Sequence, residues 1–164
     1  MKLTVERLGH LGDGVASGPE GPVFLPMTLP GEEVEATVGG GRGRDIRILT
    51  PSPDRVAAPC RHFRSCGGCS VQHASDAFVA AWKVEVVTRA LQAQGLSAPV
   101  TALHTSPPGS RRRAVLAGRR TKSGALVGFH GRASDSIVEI PECRLLRPEI
   151  LDLLPLLREI TALG

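Results

Sequence analysis

Short apolar stretches alternate with glycine-containing turns in the first third of the chain. Apolar and polar positions alternate closely enough to predict strands at 3–8, 22–26, 33–38 and 45–49. Several short strands at this spacing are typical of a small barrel. The pattern therefore predicts an OB-like β-barrel at the start of the chain.

A proline-containing connector and then a helix follow the predicted barrel. Three prolines between residues 51 and 59 favour extended backbone, and we place a domain boundary there. Ser75 or Asp76 is a suitable N-cap. Apolar residues then recur at every fourth position, at Phe78, Trp82, Val86 and Ala90. A helix is predicted at about 76–94.

An antiparallel meander is predicted between about 113 and 140, with strands at 113–118, 125–130 and 136–140. Pro148 is a suitable start for a last helix over 149–164. Its residues are apolar on nearly every side, so the helix requires an apolar partner. We expect that the rest of the chain does not supply this partner. Pro155 should kink or split this helix. The simplest expectation is a chain that stops before its natural end.

The overall composition is that of a soluble folded protein, with 41% hydrophobic residues and a mean hydropathy of +0.02. No secretory signal is recognisable, and no apolar run is long enough to span a bilayer. We expect a cytoplasmic, monomeric protein that does not enter the membrane.

Basic side chains are concentrated in two short stretches, although the net charge is only +4. We take these as candidate RNA contacts: Arg42, Arg44, Arg111, Arg113, Arg119, Arg120 and Lys122. An ordinary solvated strand edge or loop is the alternative for both stretches. Because aromatic residues make up only 3% of the chain, binding through several stacked bases is a poor fit, and contacts should depend on charge.

The chain has four cysteines: Cys60, Cys66, Cys69 and Cys143. Two glycines separate the middle pair, and glycine permits the tight turn that points two thiolates at one metal centre. Disulfides are disfavoured in a reducing compartment, and buried cysteines without a metal are the simplest alternative. Zinc more often binds paired knuckles, whereas the fourth cysteine here stands alone. We therefore favour an iron–sulfur cluster, with zinc as the alternative.

Several longer motifs occur in order along the chain. They are Leu8-Gly9-His10-Leu11-Gly12-Asp13-Gly14, Leu29-Pro30-Gly31-Glu32, Pro51-Ser52-Pro53, Arg55-Val56, Cys60-Arg61-His62-Phe63, Cys66-Gly67-Gly68-Cys69, Gln72-His73, Trp82-Lys83, Arg111-Arg112-Arg113, Val127-Gly128-Phe129 and Cys143. The order and rough spacing of these motifs resemble those of a known family from the first residues to Pro148. The family is the S-adenosylmethionine-dependent RNA uracil-5 methyltransferases that carry a TRAM domain and a [4Fe-4S] cluster.

The resemblance implies a β-rich α+β fold. Residues 1–54 would be the OB-like TRAM barrel that binds RNA, 55–148 the α+β iron–sulfur region with its antiparallel meander, and 149–164 a helix leading to a missing catalytic domain. The four cysteines Cys60, Cys66, Cys69 and Cys143 would be the ligands of the [4Fe-4S] cluster. Cluster-bearing members mostly modify ribosomal RNA, which is the first expected substrate class, with transfer RNA as the other.

Members of this family continue with a Rossmann-like domain that binds S-adenosylmethionine and supplies the catalytic cysteine and base. No part of that domain is recognisable in the chain, so we expect no catalytic residue here and no methylation by this chain alone. Two alternatives remain at this point: a stand-alone, non-catalytic RNA-binding module, and a zinc-stapled RNA-binding protein.

Overall fold

The computed structural model describes all residues from Met1 to Gly164. It divides into two compact units, each built from two segments of chain. Residues 1–57 and 70–103 form the first, which we call the barrel unit, and residues 58–69 and 104–164 form the second, the cysteine unit. The predicted boundary near residue 54 lies close to the first crossing, but the helix that we expected in the second region belongs to the barrel unit.

The barrel unit contains one six-stranded sheet. Its strands are β1 (Lys2–Thr4), β2 (Arg7–Leu8), β3 (Gly14–Gly18), β4 (Gly21–Leu25), β5 (Glu33–Gly39) and β6 (Arg42–Thr50). Their order is β1-β5-β6-β4-β3-β2, and all neighbours are antiparallel except β4 and β6. Because β1 also contacts β3, the sheet curls over its own inner face. A β-rich, curled sheet thus stands where the sequence predicts a barrel.

Two strand predictions need correction. The single strand expected at 3–8 is two short strands, because the chain changes partners between them: Val5 donates its N–H to Glu32 O and Glu6 donates to Val15 O. Strand β3 was not predicted at all. It contains few apolar residues, so its extended conformation depends on pairing with β2 and β4 rather than on its own sequence.

The inner face of the sheet holds the core of the barrel unit. Its buried residues are Leu3, Val5, Ala16, Val23, Leu25, Val34 and Ala36. Gly43 is part of this packing, because a Cβ at that position would collide with the Leu25 side chain. The tight contact at Gly43 requires that its two neighbours on β6 point away from the core.

One helix, α1 (Asp76–Ala93), completes the barrel unit and confirms the predicted helix. Ser75 caps it: its hydroxyl accepts a hydrogen bond from Phe78 N at 3.2 Å and donates one to Asp54 Oδ1 at 3.1 Å. Phe78 and Trp82 pack against buried Leu29, which explains why the helix belongs to this unit.

The cysteine unit contains the predicted meander, with β7 (Ala117–Thr121), β8 (Gly124–His130) and β9 (Ile137–Glu139) in that order. The first strand begins four residues later than predicted. The backbone of Arg111 is bonded elsewhere, since its N–H donates to Leu145 O and its carbonyl accepts from Arg147 N. The segment before β7 is therefore held by the loop preceding the last helices.

Two helices end the unit, α2 (Pro148–Leu151) and α3 (Leu154–Leu163). Pro155 lies in the first turn of α3, so the predicted split is confirmed. Helix α3 packs on β7 and β8, so the expectation that the last helix has no partner within the chain was wrong. Gly118 allows the close approach, because a Cβ there would lie 2.9 Å from Thr161 Oγ1. None of the helices has both the length and the apolar character needed to cross a membrane.

Candidate metal centre and nucleic-acid interface

The segment with the first three cysteines, residues 60–69, is hydrogen-bonded to the chain at and just after the end of β8. Gly67 N donates to His130 O at 2.9 Å, and Arg132 N donates to Ser65 O at 3.0 Å. Cys66 lies opposite Gly131 in an antiparallel bridge. The segment, which we call the cysteine loop, is therefore positioned by a regular element.

Two glycines allow this close contact. A Cβ on Gly67 would lie 2.9 Å from His130 O, and a Cβ on Gly68 would lie 3.1 Å from the Phe129 ring. Gly68 N also donates to Cys66 Sγ at 3.4 Å. A backbone N–H directed at a cysteine sulfur is the kind of contact that tunes sulfur ligands of iron–sulfur clusters. Both positions between the two cysteines thus require glycine for steric reasons, and Gly68 also provides a polar contact to a cysteine sulfur.

Arg132 holds the cysteine loop from its other side. Its guanidinium donates to Phe63 O at 3.1 Å and to Cys69 O at 2.5 Å, and it lies 4.6 Å from the centroid of the Phe63 ring. Two carbonyls and one ring are thereby fixed by a single planar cation. Sequence reasoning did not identify Arg132, because nothing in its neighbourhood along the chain indicates contact with the cysteine loop.

The fourth cysteine also lies in the cysteine unit. Cys143 packs against the cluster of Cys66, Ile140 and Leu146, and its N–H donates to Ile140 O at 3.2 Å. Cys66 is buried, and the other three cysteines are half-buried. The four thiols suit iron or zinc as donors, and they belong to one compact unit.

The side chains as placed do not form a ready ligand set. No group of three or more Cys, His, Asp or Glu side chains lies close enough together to hold a metal ion. The assignment of all four cysteines as ligands therefore stays a prediction. His73, near the cysteines in sequence, is a buried residue of the barrel unit with Nε2 3.5 Å from Thr28 O.

The candidate RNA contacts of the barrel unit lie on β6. Arg42 and Arg44 are both exposed and flank the inward-facing Gly43, so they share the outer face of the sheet. Arg42 forms an ion pair with Asp13 at 3.1 Å. Both lie in a regular strand that the Gly40–Gly41 turn precedes.

The candidates of the cysteine unit are all exposed but do not form one strand face. Arg119 and Arg120 lie next to each other on edge strand β7, and Arg119 donates to Asp135 O at 2.9 Å. Arg111 and Arg113 precede the strand, and Arg111 donates through Nε to Arg113 O. Lys122 lies in the turn between β7 and β8.

One buried ion pair supports the barrel unit. Glu32 has no exposed side-chain surface and accepts from Arg55 Nε at 2.5 Å, Arg55 Nη2 at 2.8 Å, Leu29 N at 2.8 Å and Ser52 N at 3.1 Å. Burial alone would raise the pKa of Glu32, but these hydrogen bonds outweigh it and hold the pKa below the ordinary value of 4.5. The carboxylate thus ties the turn before β5 to the connector.

Several known proteins are similar in sequence to this chain. The chain combines a curled β-sheet that carries exposed arginines with a cysteine loop on a meander. Over almost its whole length, it is similar to proteins named RNA methyltransferases. It is 45% identical to an uncharacterized RNA methyltransferase of Rhizobium meliloti, over 98% of this chain and 40% of the relative. It is 38% identical to the 23S rRNA (uracil(1939)-C(5))-methyltransferase RlmD of Halomonas elongata, over 96% of this chain and 35% of that protein.

The chain thus spans about 40% of the length of these curated relatives. Among solved structures, the tRNA (uracil-54, C5)-methyltransferase of Pyrococcus abyssi, in complex with S-adenosyl-L-homocysteine, has a similar fold, with a TM-score of 0.59 and 23% identity over 96% of this chain and 36% of that one. No known protein-family profile matches the chain.

Proposed function

We propose that this chain is the RNA-binding and cluster-binding part of an S-adenosylmethionine-dependent RNA methyltransferase that makes 5-methyluridine. The observation that carries the proposal is the similarity to RNA methyltransferases across nearly the whole chain. S-adenosylmethionine would bind to a part of such an enzyme that this chain does not include. No residue here is assigned a catalytic role.

Ribosomal RNA is the proposed substrate class. Support comes from two relatives, 38% and 37% identical, that are named 23S rRNA (uracil(1939)-C(5))-methyltransferases. The transfer-RNA enzyme of similar structure shares only 23% identity, which supports the fold alone. The barrel unit would act as a TRAM domain, with the exposed arginines of β6 and β7 contacting phosphates.

The [4Fe-4S] cluster would be held by Cys60, Cys66, Cys69 and Cys143. The proposal is supported by the donor chemistry, by the glycines that bring Gly68 N to Cys66 Sγ, and by the packing of Cys143 against the buried cluster that includes Cys66. Bound there, the cluster would supply a covalent staple for a unit with a small apolar core. Arg132 would keep the cysteine loop in the shape that binds the cluster.

Metal content tests the cluster assignment. The chain should be purified without oxygen and analysed for iron, acid-labile sulfide and zinc. About four irons and four sulfides per chain support the assignment. One zinc without sulfide would replace the cluster with a zinc staple, and neither metal would remove the metal centre from the proposal.

A second experiment tests whether the cluster stabilises the cysteine unit. Cys66→Ser should lower the thermal stability of the cysteine unit and weaken RNA binding, because the loop on β8 would lose its anchor. Unchanged folding and RNA affinity would contradict the staple. The coding sequence after codon 164 tests the enzyme assignment: a frame that encodes a methyltransferase domain supports it, and a stop codon favours a stand-alone RNA-binding module.

A further inference from the structure

An exposed aromatic ring lies between arginines on the outer face of the barrel unit. The strand registers align four residues in one lateral row: Arg7 opposite Val15, Val15 opposite Phe24, and Phe24 opposite Arg42. Residues directly opposite each other in a sheet share a face. At about 4.8 Å per strand spacing, the row is about 14 Å long.

The row belongs to the outer face, because its neighbours along the strands belong to the core. Val23 and Leu25, on either side of Phe24, are buried in the inner cluster, whereas Val15 is buried outside that cluster. Phe24 is 43% exposed, whereas the chain's other three phenylalanines are buried or half-buried. Although single exposed apolar residues are common, this one lies next to Arg42 and two strands from Arg7.

The charge on this part of the face is positive. Arg44 follows Arg42 on the same face, and neither Arg7 nor Arg44 forms an ion pair. Asp13 offsets only Arg42. Among the other acidic residues nearby, Glu35 on β5 is paired with Arg47 at 2.6 Å, and Asp45 is exposed on β6 next to Arg44. The side of the sheet formed by β2, β4 and the start of β6 therefore carries three arginines, Arg7, Arg42 and Arg44, against the two aspartates Asp13 and Asp45.

A ring of this kind beside fixed cations matches an unpaired nucleotide. Every base has a π face that stacks on an aromatic side chain, and arginines alongside it neutralise the phosphates. Bases in a duplex are not accessible to such a ring, so the matching ligand is single-stranded. One ring accounts for one nucleotide, which agrees with the low aromatic content of the chain.

We propose that the surface formed by Arg7, Phe24, Arg42 and Arg44 binds single-stranded RNA, with one unpaired base stacked on Phe24 and the arginines on the flanking phosphates. This site deepens the proposed function, on which it rests, because it assigns the barrel unit a single-stranded segment of the RNA. It also adds one stacking contact to RNA binding that the sequence attributes to charge.

The experiment is fluorescence anisotropy of the full chain with a fluorescein-labelled, uridine-rich RNA of twelve nucleotides. The unmodified chain is compared with Phe24→Ala, Phe24→Trp and Phe24→Leu at several salt concentrations. Arg44→Ala tests the phosphate contact. Arg47→Ala is its matched control, because Arg47 lies on β6 with Arg44 but is paired with Glu35. Since Phe24 is at the surface, thermal unfolding should show that all variants fold.

We expect Phe24→Ala to weaken binding about tenfold or more, Phe24→Trp to retain it, and Phe24→Leu to behave like alanine. The salt dependence should stay unchanged in these three variants and fall in Arg44→Ala, which removes a phosphate contact. Arg47→Ala should bind normally. A structural role of Phe24 would not produce this separation of affinity from salt dependence.

The remaining outcomes separate failure of the stacking site from failure of the proposed RNA-binding function. If the unmodified chain binds the RNA and Phe24→Ala binds equally well, or if Phe24→Leu restores full affinity, the stacking site is wrong while the proposed RNA-binding function stands. Preference for a duplex of the same sequence would also overturn the site. If the unmodified chain binds neither RNA, the proposed function itself fails.

Discussion

The buried carboxylate of Glu32 should be the most sensitive polar position of the barrel unit. Its two oxygens accept four hydrogen bonds, two from Arg55 and one each from Leu29 N and Ser52 N. Glu32→Gln keeps the shape but replaces one acceptor with an NH₂ group that faces two donors. It also leaves the Arg55 guanidinium without a counter-charge.

Breaking one partner of a buried ion pair costs about 3–5 kcal/mol, against a total domain stability of about 5–15 kcal/mol. We therefore expect Glu32→Gln to remove a large part of the stability of the barrel unit. Glu33→Gln is the matched control, because Glu33 is exposed and contacts only the Thr50 hydroxyl, at 3.0 Å; its cost should stay below about 0.5 kcal/mol.

Urea unfolding followed by tryptophan fluorescence measures this difference. Trp82 is the only tryptophan of the chain and packs against Leu29 in the barrel unit, so its emission reports on the unit that contains Glu32. With a slope of about 1–3 kcal/mol per molar urea, the midpoint should fall by about 1 M or more. A shift equal to that of Glu33→Gln would refute the reasoning.

The same pair predicts a pH dependence. Because the folded-state pKa of Glu32 is lowered, its contribution to stability is fully present above the ordinary pKa of 4.5 and is lost as the pH falls through the folded pKa. Unfolding of the unmodified chain and of Glu32→Gln should therefore converge in stability below pH 4.5. A difference that persists unchanged to the lowest pH at which both fold would contradict the assigned carboxylate state.

Two further predictions concern the cysteine unit. With the proposed cluster bound, Arg132→Gln should speed the loss of its visible absorbance in air by about 10- to 100-fold, because the carbonyl of Cys69 loses the hydrogen bond from Arg132; Arg119→Gln, which removes a similar bond to a carbonyl at the sheet edge, should not change it. Gly128→Ala should lower the melting temperature by several degrees, because its Cβ would collide with Val138 O; normal melting by circular dichroism would contradict the pairing of β8 with β9 at that residue.

Features with a local cause were predictable from the sequence. Helix α1 has a capping serine and apolar residues at every fourth position, and both signals lie within its own segment. The split of the last helix follows from Pro155 alone. The spacing of Cys66 and Cys69 around two glycines likewise indicates a tight turn without knowledge of the fold.

Features that depend on distant partners were not predictable. Strand β3 is extended because β2 and β4 pair with it, and its own residues indicate only a turn. Phe24 lies in a predicted strand, but its position between arginines depends on the register with β3 and β6. Arg132 contacts carbonyls more than sixty residues earlier in the chain.

The interleaving of the two units has a consequence for biosynthesis. Residues 58–69 belong to the same unit as 104–164, so the first three cysteines leave the ribosome well before the meander that holds them. At about 5–20 residues per second, the delay before Cys143 is made is several seconds. During that interval three thiols are exposed to oxidants and to stray metal ions. Under the proposed cluster assignment, the cluster can be inserted only after Cys143 has been made, so its delivery would be a step in the maturation of the protein.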